Sequence, residues 1–249
     1  MINQNRVKQI QSLKTKKGRK KENLFMIEGV RCVQSYIKKS KLIKELFITE
    51  TFAIMNERLL KLCEKYNIVY SIVTDKDIKN ISDTKTASGI FGICTFKPQS
   101  SLDFESKRWL YLYEISDPGN LGSLLRSAAW FNIKNIALSK NSADPFNPKV
   151  VRSATGAHIY LNIHQNIKYE FFLDHGYYTI GADQNGTQKI EDLDYNQKLV
   201  LILGSEARGL DTSVKKRLNK IISIEKLGYG ESLNVAIAGS ILMNGIARK

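Results

Sequence analysis

The feature that most constrains this chain lies in residues 198–249, where a short apolar run is followed by a glycine-rich polar loop, twice over. Leu199-Val200-Leu201-Ile202-Leu203 has strand length and no polar interruption, which predicts a strand buried on both faces. It leads into Gly204-Ser205-Glu206-Ala207-Arg208-Gly209-Leu210, two glycines around a carboxylate and a guanidinium. A second strand is expected over 221–224, followed by Gly228-Tyr229-Gly230-Glu231-Ser232 and an apolar helix over 233–247. Such units place polar side chains at the C-terminal edge of a parallel sheet, where α/β proteins build ligand sites. From spacing alone, a pair of ordinary turns fits equally well.

Two phosphate-binding glycine motifs are excluded. Gly204 and Gly209 have the P-loop frame, but Leu210-Asp211 stands where Lys-Ser/Thr is required. No G-x-G-x-x-G follows a strand, so the dinucleotide fingerprint is absent too.

The charge balance points to a polyanion. The 249 residues carry 38 Lys+Arg against 24 Asp+Glu, a net charge of +14, and for a protein with an ordinary core this favours RNA or DNA. Eight of these cations (Arg6, Lys8, Lys14, Lys16, Lys17, Arg19, Lys20 and Lys21) fall within residues 1–21, which contain no acid. The expectation is a basic arm that tracks a phosphate backbone, with Val7, Ile10 and Leu13 giving part of it one helical apolar edge. Cys32, Cys63 and Cys94 match neither a disulfide framework nor a zinc pattern, and read as buried thiols of a reducing compartment. His158, His164 and His175 lack metal-ligand spacing, so no metal is expected. No apolar run reaches the roughly 18 residues that a membrane span needs, and no signal-peptide core opens the chain.

Two α/β regions follow the arm. In the first, residues 22–97, strands are expected at 24–27, 43–48, 68–73 and 89–96, with helices after Val30, around 59–63 ending at Asn67, and over 75–81. Residues 98–106 (Pro, Gln, two Ser, mixed charge) read as a linker. In the second, residues 107–249, strands are expected at 109–115, 136–138, 178–182 and the two C-terminal positions, making a parallel sheet the expected architecture. Helices are expected over 121–131, from 149 to 156 and over 169–175.

Three polar groups then fall at strand ends of one domain: Asn120 with Arg126, Glu206 with Arg208, and Ser232 with Asn234. Six positions apart, Asn120 in the loop and Arg126 on the helix are both expected near the sheet's C-terminal edge. On its residues alone, Arg126 reads equally as half of a surface ion pair.

These stretches resemble the three motifs of the SpoU/TrmH family, RNA ribose 2′-O-methyltransferases of the SPOUT class. Asp117-Pro118-Gly119-Asn120-Leu121-Gly122 with Arg126-Ser127-Ala128 resembles the first motif. Leu203 through Leu210 resembles the second, and Ile224 with Glu231-Ser232-Leu233-Asn234-Val235-Ala236 the third. Asn147-Pro148-Lys149-Val150-Val151-Arg152 and Thr155-Gly156-Ala157 also match the family pattern. Residues 22–97 resemble, more loosely, the ribosomal-protein-like RNA-binding domain that often precedes this catalytic domain. Two positions depart: Ser205 replaces the usual Asn, and Glu225 replaces the Pro that usually follows Ile224.

The resemblance implies an α/β fold whose C-terminal parallel-sheet domain carries a deep trefoil knot. It implies S-adenosylmethionine bound at Leu203, Gly204, Ile224 and Leu233, a homodimer that completes the sites, and a cytoplasmic enzyme methylating the ribose of ribosomal RNA. Arg126 would act as base or contact a phosphate or developing alkoxide, with Asn120, Glu206, Ser232 and Asn234 orienting the ribose and bracing it. A guanidinium holds its proton far above neutral pH, which makes the base role the harder one physically. The alternatives are ribose or base methylation of transfer RNA, or an RNA-binding protein that kept the fold without catalysis.

Overall fold

The computed structural model describes residues 2–82, 84, 86–98 and 100–247; Gln99, within the expected linker, lies outside them. By contacts the chain divides into two compact units, Met1–Pro98 with Phe146–Ile159 and Gln99–Pro145 with Tyr160–Lys249.

The first unit begins with α1 (Gln4–Ser12) and α2 (Lys16–Glu22), each opened by a side-chain cap, Asn3 accepting from the Arg6 N–H and Thr15 from the Gly18 N–H. The apolar edge of α1 is buried: Ile10 and Leu13 pack with Met26, Phe47 and Phe91, so these residues belong to a domain core. There follow β1 (Leu24–Glu28), α3 (Val30–Ile37), β2 (Ile43–Thr49), α4 (Glu50–Met55), α5 (Glu57–Lys65), β3 (Ser71–Val73), α6 (Asp75–Ile81) and β4 (Ile90–Thr95). The sheet order is β1-β4-β2-β3, with β4 antiparallel to both β1 and β2, and β3 parallel to β2. Period-two alternation sends Phe25, Ile27, Leu46 and Ile48 to one core and Met26 and Phe47 to the other.

The expected strand over 68–73 shrinks to three residues for a local reason. Asn67 turns left-handed at φ 53°, its N–H donates to the Glu64 carbonyl, and the Ile68 N–H donates to the Cys63 carbonyl over 2.8 Å. This pair of bonds closes the C-terminus of α5, so Ile68 is spent on ending a helix rather than pairing a strand.

The second unit opens with β5 (Arg108–Leu112), α7 (Pro118–Trp130) and β6 (Asn135–Leu138). Next in the chain is α8 (Pro148–Ala154), which groups with the first unit. The second unit resumes with β7 (Asn162–Gln165), α9 (Glu170–Asp174), β8 (Tyr178–Ala182), β9 (Leu199–Leu203), α10 (Thr212–Lys215), β10 (Lys220–Ile222) and α11 (Val235–Ala247). Its six strands run β10-β8-β9-β5-β6-β7, and every neighbouring pair is parallel. β9 sits inside the sheet with all five residues buried, as its unbroken apolar run requires. Trp109, Tyr111, Val200 and Ile202 face one core with Phe172 and Tyr177, while Leu110, Leu112, Leu201 and Leu203 point to the opposite face. α11 lies close on α7 and β9 because residue 239 is glycine: a Cβ there would stand 2.5 Å from Leu124 Cδ2 and 2.6 Å from Leu203 Cδ1.

The family-like segment after β6 takes its core from the first unit. The Phe146 ring lies 5.1 Å from Phe25 and 4.7 Å from Phe96, and Val151 and Ile159 are buried with Cys32 and Tyr36. Arg152 Nη1 stands 3.7 Å from the buried Glu28 carboxylate, which also accepts from Ser82 Oγ at 2.6 Å. Among the described residues, no helix is long and apolar enough to cross a membrane.

Candidate active site

The site is assembled at the C-terminal edge of the second unit's sheet, where β5 and β9 lie side by side. After β5 the chain enters α7 through an N-cap, Asp117, whose carboxylate accepts from the Asn120 N–H over 2.8 Å; Pro118, with no N–H to lose, takes the first helical position. Asn120 therefore lies in the first turn of α7 rather than in the preceding loop, with its amide projecting from the helix start.

Glu206, from the loop after β9, closes onto that start. Its carboxylate accepts from Asn120 Nδ2 at 3.0 Å, from the Asp117 N–H at 3.2 Å and from the Ser116 N–H at 3.3 Å. Desolvation raises the Glu206 pKa, but the bonds from Asn120, Asp117 and Ser116 outweigh it and hold the carboxyl below its ordinary value. An anion at a helix N-terminus is also where the peptide dipoles favour it.

Asn234 brings in the third segment. A carboxylate only accepts, so Asn120 must turn its NH₂ to Glu206 and its oxygen the other way. That oxygen accepts from Asn234 Nδ2 at 3.0 Å, and Asn234 Oδ1 in turn accepts from the Ala236 N–H at 2.9 Å, at the start of α11. Every donor points in one direction, from α11 through Asn234 and Asn120 to Glu206.

The glycine loop after β9 is shaped by the chain itself. The Ser205 N–H donates to the Gly209 carbonyl at 3.1 Å and the Gly209 N–H returns to the Ser205 carbonyl at 2.9 Å, with Gly209 at φ 65°. A Cβ on Gly204 would stand 2.2 Å from the Gly209 carbonyl carbon, so this glycine is required by the loop's own backbone. Arg208 Nη2 reaches Glu114 at 3.2 Å, and Asn141 Nδ2 holds the other oxygen of Glu114 at 2.8 Å.

Two expected members stand apart from this hydrogen-bonded chain. Arg126 is exposed and makes no hydrogen bond or ion pair among the described residues. Six residues beyond Asn120, it is displaced by about 9 Å along α7 and about 240° around it. Ser232 is likewise exposed and without a hydrogen bond among the described residues. Residues 224–233 run as an open loop from β10 to α11, with β10 ending two residues before Ile224. No backbone N–H of this loop donates to another group among the described residues, and Leu233 is exposed. Leu203 is buried, and its carbonyl accepts from the Tyr113 N–H at 2.8 Å.

Sequence reasoning expected Asp117 only as the opening residue of the first motif and Ser116 not at all, although Asp-Pro before a helix is a start signal that marks Asp117 as the cap. It also passed over a pair deeper in the unit, Lys215 with Asp183. Desolvation raises Asp183, and Lys215 more than reverses this, leaving the carboxyl below its ordinary value.

The basic residues of the first unit divide into two groups. Lys8, Lys16, Lys17, Lys20 and Lys21 are exposed. Arg6 pairs with Glu45, and Lys14 Nζ donates to the Ser82 carbonyl at 3.0 Å. Arg19 is only 3% exposed, and its Nη1 donates to the carbonyls of Leu13 at 2.7 Å and Lys14 at 3.0 Å, locking the turn between α1 and α2.

Comparison with known proteins agrees with this architecture over the whole chain. Residues 107–244 match the SpoU rRNA Methylase family and residues 4–92 the MRM3-like substrate binding domain. The 23S rRNA (guanosine(2553)-2′-O)-methyltransferase RlmP of Bacillus subtilis is 28% identical over 244 residues, covering 96% of this chain and 94% of that protein. A TrmH-family structure from Porphyromonas gingivalis superposes with a TM-score of 0.82 at 28% identity, covering 100% of this chain and 99% of the other. The AdoMet-bound rRNA methyltransferase of Sinorhizobium meliloti superposes with a TM-score of 0.82 at 25% identity, over 100% of this chain and 96% of that one. With these matches, the fold is that of an RNA methyltransferase of the SPOUT class. The chain belongs to the SpoU rRNA methylase family.

Proposed function

We propose that this protein transfers a methyl group from S-adenosylmethionine to a ribose 2′-hydroxyl of ribosomal RNA. The observation that carries the reading is the directed chain Asn234–Asn120–Glu206, which joins the three family motifs at one sheet edge. Bound S-adenosylmethionine supplies an electrophilic sulfonium methyl, a chemistry that needs no metal. The loop over 224–233, with Ile224 and Leu233 at its ends, would hold the cofactor through its undonated backbone N–H groups, against the turn that begins at Leu203 and Gly204. The work left to the protein is to hold the hydroxyl in line with the methyl carbon.

Asn120, Glu206 and Asn234 supply a rigid polar edge for the ribose, and the exposed Ser232 hydroxyl lies two residues before Asn234. Arg126, with its fork of donors uncommitted, is assigned to a nucleotide phosphate or the developing alkoxide. Lys8, Lys16, Lys17, Lys20 and Lys21 form a cationic surface for the RNA backbone. A homodimer fits the exposed apolar side chains of α7 and α11: Trp130 is 83% exposed, Ile237 55% and Ile241 46%, the last two one helical turn apart. The trefoil knot is supported by residues 183–197, which bond to Ser223 through Gln188 and Gly186 and meet α11 where Ile190 packs on Gly245. A cytoplasmic location fits this reading.

The test is incorporation of labelled methyl into ribosomal RNA by the wild-type protein and by Asn234→Ala. Robust transfer by wild type and a loss of about a hundredfold in the variant are expected; no transfer by folded wild type overturns the reading.

A further inference from the structure

The loop between β10 and α11 has an apolar apex that nothing in its own unit accounts for. Leu227 is 91% exposed and Tyr229 107%, so the tyrosine ring meets no neighbouring side chain. Loop tips in water are ordinarily polar, and an aromatic held there gains nothing from folding. The backbone around it is open to solvent on the side a side chain would take. A Cβ on Gly228 or Gly230 would meet nothing within 4 Å, and Gly230 sits at φ 124°, a conformation that side chains other than glycine rarely adopt. The base of the loop, in contrast, is fastened. Glu225 pairs with Lys189 at 2.9 Å and Asn234 is bonded to Asn120, while Lys226 Nζ donates to the Gly230 carbonyl at 2.8 Å across the apex itself.

The apex is thus a solvated aromatic on a fastened stem, five residues from Asn234 and so within about 17 Å of the polar edge. A side chain that capped a cofactor held by the loop's own backbone would be shielded in part by that loop; Tyr229 is not. What suits a solvated aromatic beside a ribose-handling site is a nucleobase, which offers a flat face whatever its sequence.

We propose that Tyr229 is a substrate-positioning residue: its ring stacks on the base of the nucleotide being methylated, or on the base next to it, and so fixes the ribose against Asn120 and Asn234. This rests on the RNA methyltransferase reading. Stacking uses the ring face, so phenylalanine should serve as well as tyrosine, whereas alanine should not.

The experiment compares wild type, Tyr229→Phe and Tyr229→Ala on unmodified ribosomal RNA transcribed in vitro. Filter binding gives the Kd for RNA, initial rates give KM and kcat, and calorimetry gives the Kd for S-adenosylhomocysteine. Tyr229→Ala should raise the RNA Kd and KM about tenfold, the scale of removing one base stack. Tyr229→Phe should stay within about twofold of wild type, and the S-adenosylhomocysteine Kd should not move in either variant. Equal RNA binding by Tyr229→Ala and wild type overturns the proposal, as does a loss confined to S-adenosylhomocysteine, which would make Tyr229 a cofactor cap. A wild type that binds the transcript but never methylates it removes the enzymatic reading instead, and the binding comparison then still decides the role of Tyr229.

Discussion

Asn234 donates from Nδ2 to Oδ1 of Asn120 across 3.0 Å, joining residues 114 positions apart. Neither side chain has freedom left. Asn120 is committed at its other end to Glu206, and Asn234 to the first turn of α11. A change at Asn120 is therefore felt by all three segments.

Asn120→Ala removes the middle of this chain, leaving Glu206 with backbone donors and Asn234 Nδ2 without its acceptor. The polar edge loosens while the loop over 224–233, proposed to hold the cofactor, keeps its sequence. kcat should fall about a hundredfold, the scale of an ångström of misplacement at a reacting centre. Affinity for S-adenosylhomocysteine, measured by calorimetry, should stay within a few-fold. A variant with wild-type kcat would detach the chain from catalysis.

Gly204→Val tests a different kind of requirement. The new Cβ would meet the Gly209 carbonyl carbon at 2.2 Å and the Leu210 nitrogen at 2.4 Å, both backbone atoms that cannot rotate away. The variant should lose about 1–3 kcal/mol of stability or more, as overpacked sites do, seen as a lower Tm with or without cofactor. Abolished cofactor binding at unchanged Tm would instead make the glycine a contact for the ligand alone.

Charge and packing separate in the N-terminal helices. Replacing Lys16, Lys17, Lys20 and Lys21 with Gln should weaken RNA binding and flatten its salt dependence. On single strands the log–log slope should shrink by about 0.7 for each phosphate no longer neutralised, with Tm unchanged. Arg19→Gln should do the reverse, lowering Tm because the Leu13 and Lys14 carbonyls lose their donor, with little effect on the slope. Deleting the whole stretch would confound the two by stripping Ile10 and Leu13 from the core.

Much of this architecture was legible in the residues. The apolar run of β9, the helical face of α3 and the two C-terminal loops stand where local chemistry puts them. What escaped had little signal. β7 reads Asn-Ile-His-Gln, an edge strand without an apolar pattern, and α4 has Phe52 as its only buried side chain. The site was half legible. Asn120, Glu206 and Asn234 could be named from their motifs, but a bond across 114 positions has no local signature. The packing of Phe146–Ile159 with the first unit escaped for the same reason, since its partners Phe25, Cys32 and Tyr36 lie more than a hundred residues earlier.

Arg126 separates two roles by substitution. Arg126→Ala should abolish methyl transfer with S-adenosylhomocysteine affinity kept within a few-fold. Arg126→Lys keeps a charge but loses the planar fork. Poor activity at every pH, with weaker RNA binding, is the expected outcome for a bidentate phosphate contact. Substantial activity that climbs steeply with pH toward the lysine range, about 10.4, would instead identify a base. Near wild-type turnover by the alanine variant would remove Arg126 from the site.

Alkaline hydrolysis reads directly whether the methyl group goes to a ribose oxygen of ribosomal RNA. Total RNA from cells lacking this protein is incubated with the full-length chain and methyl-labelled S-adenosylmethionine, then hydrolysed in alkali. Alkaline cleavage needs a free 2′-hydroxyl, so a ribose-methylated nucleotide survives as a labelled dinucleotide, whereas a methylated base is released in a mononucleotide. Label is expected in an alkali-resistant dinucleotide from ribosomal RNA. Label in mononucleotides, or no label in any RNA with a folded protein that binds the cofactor, would contradict ribose methylation.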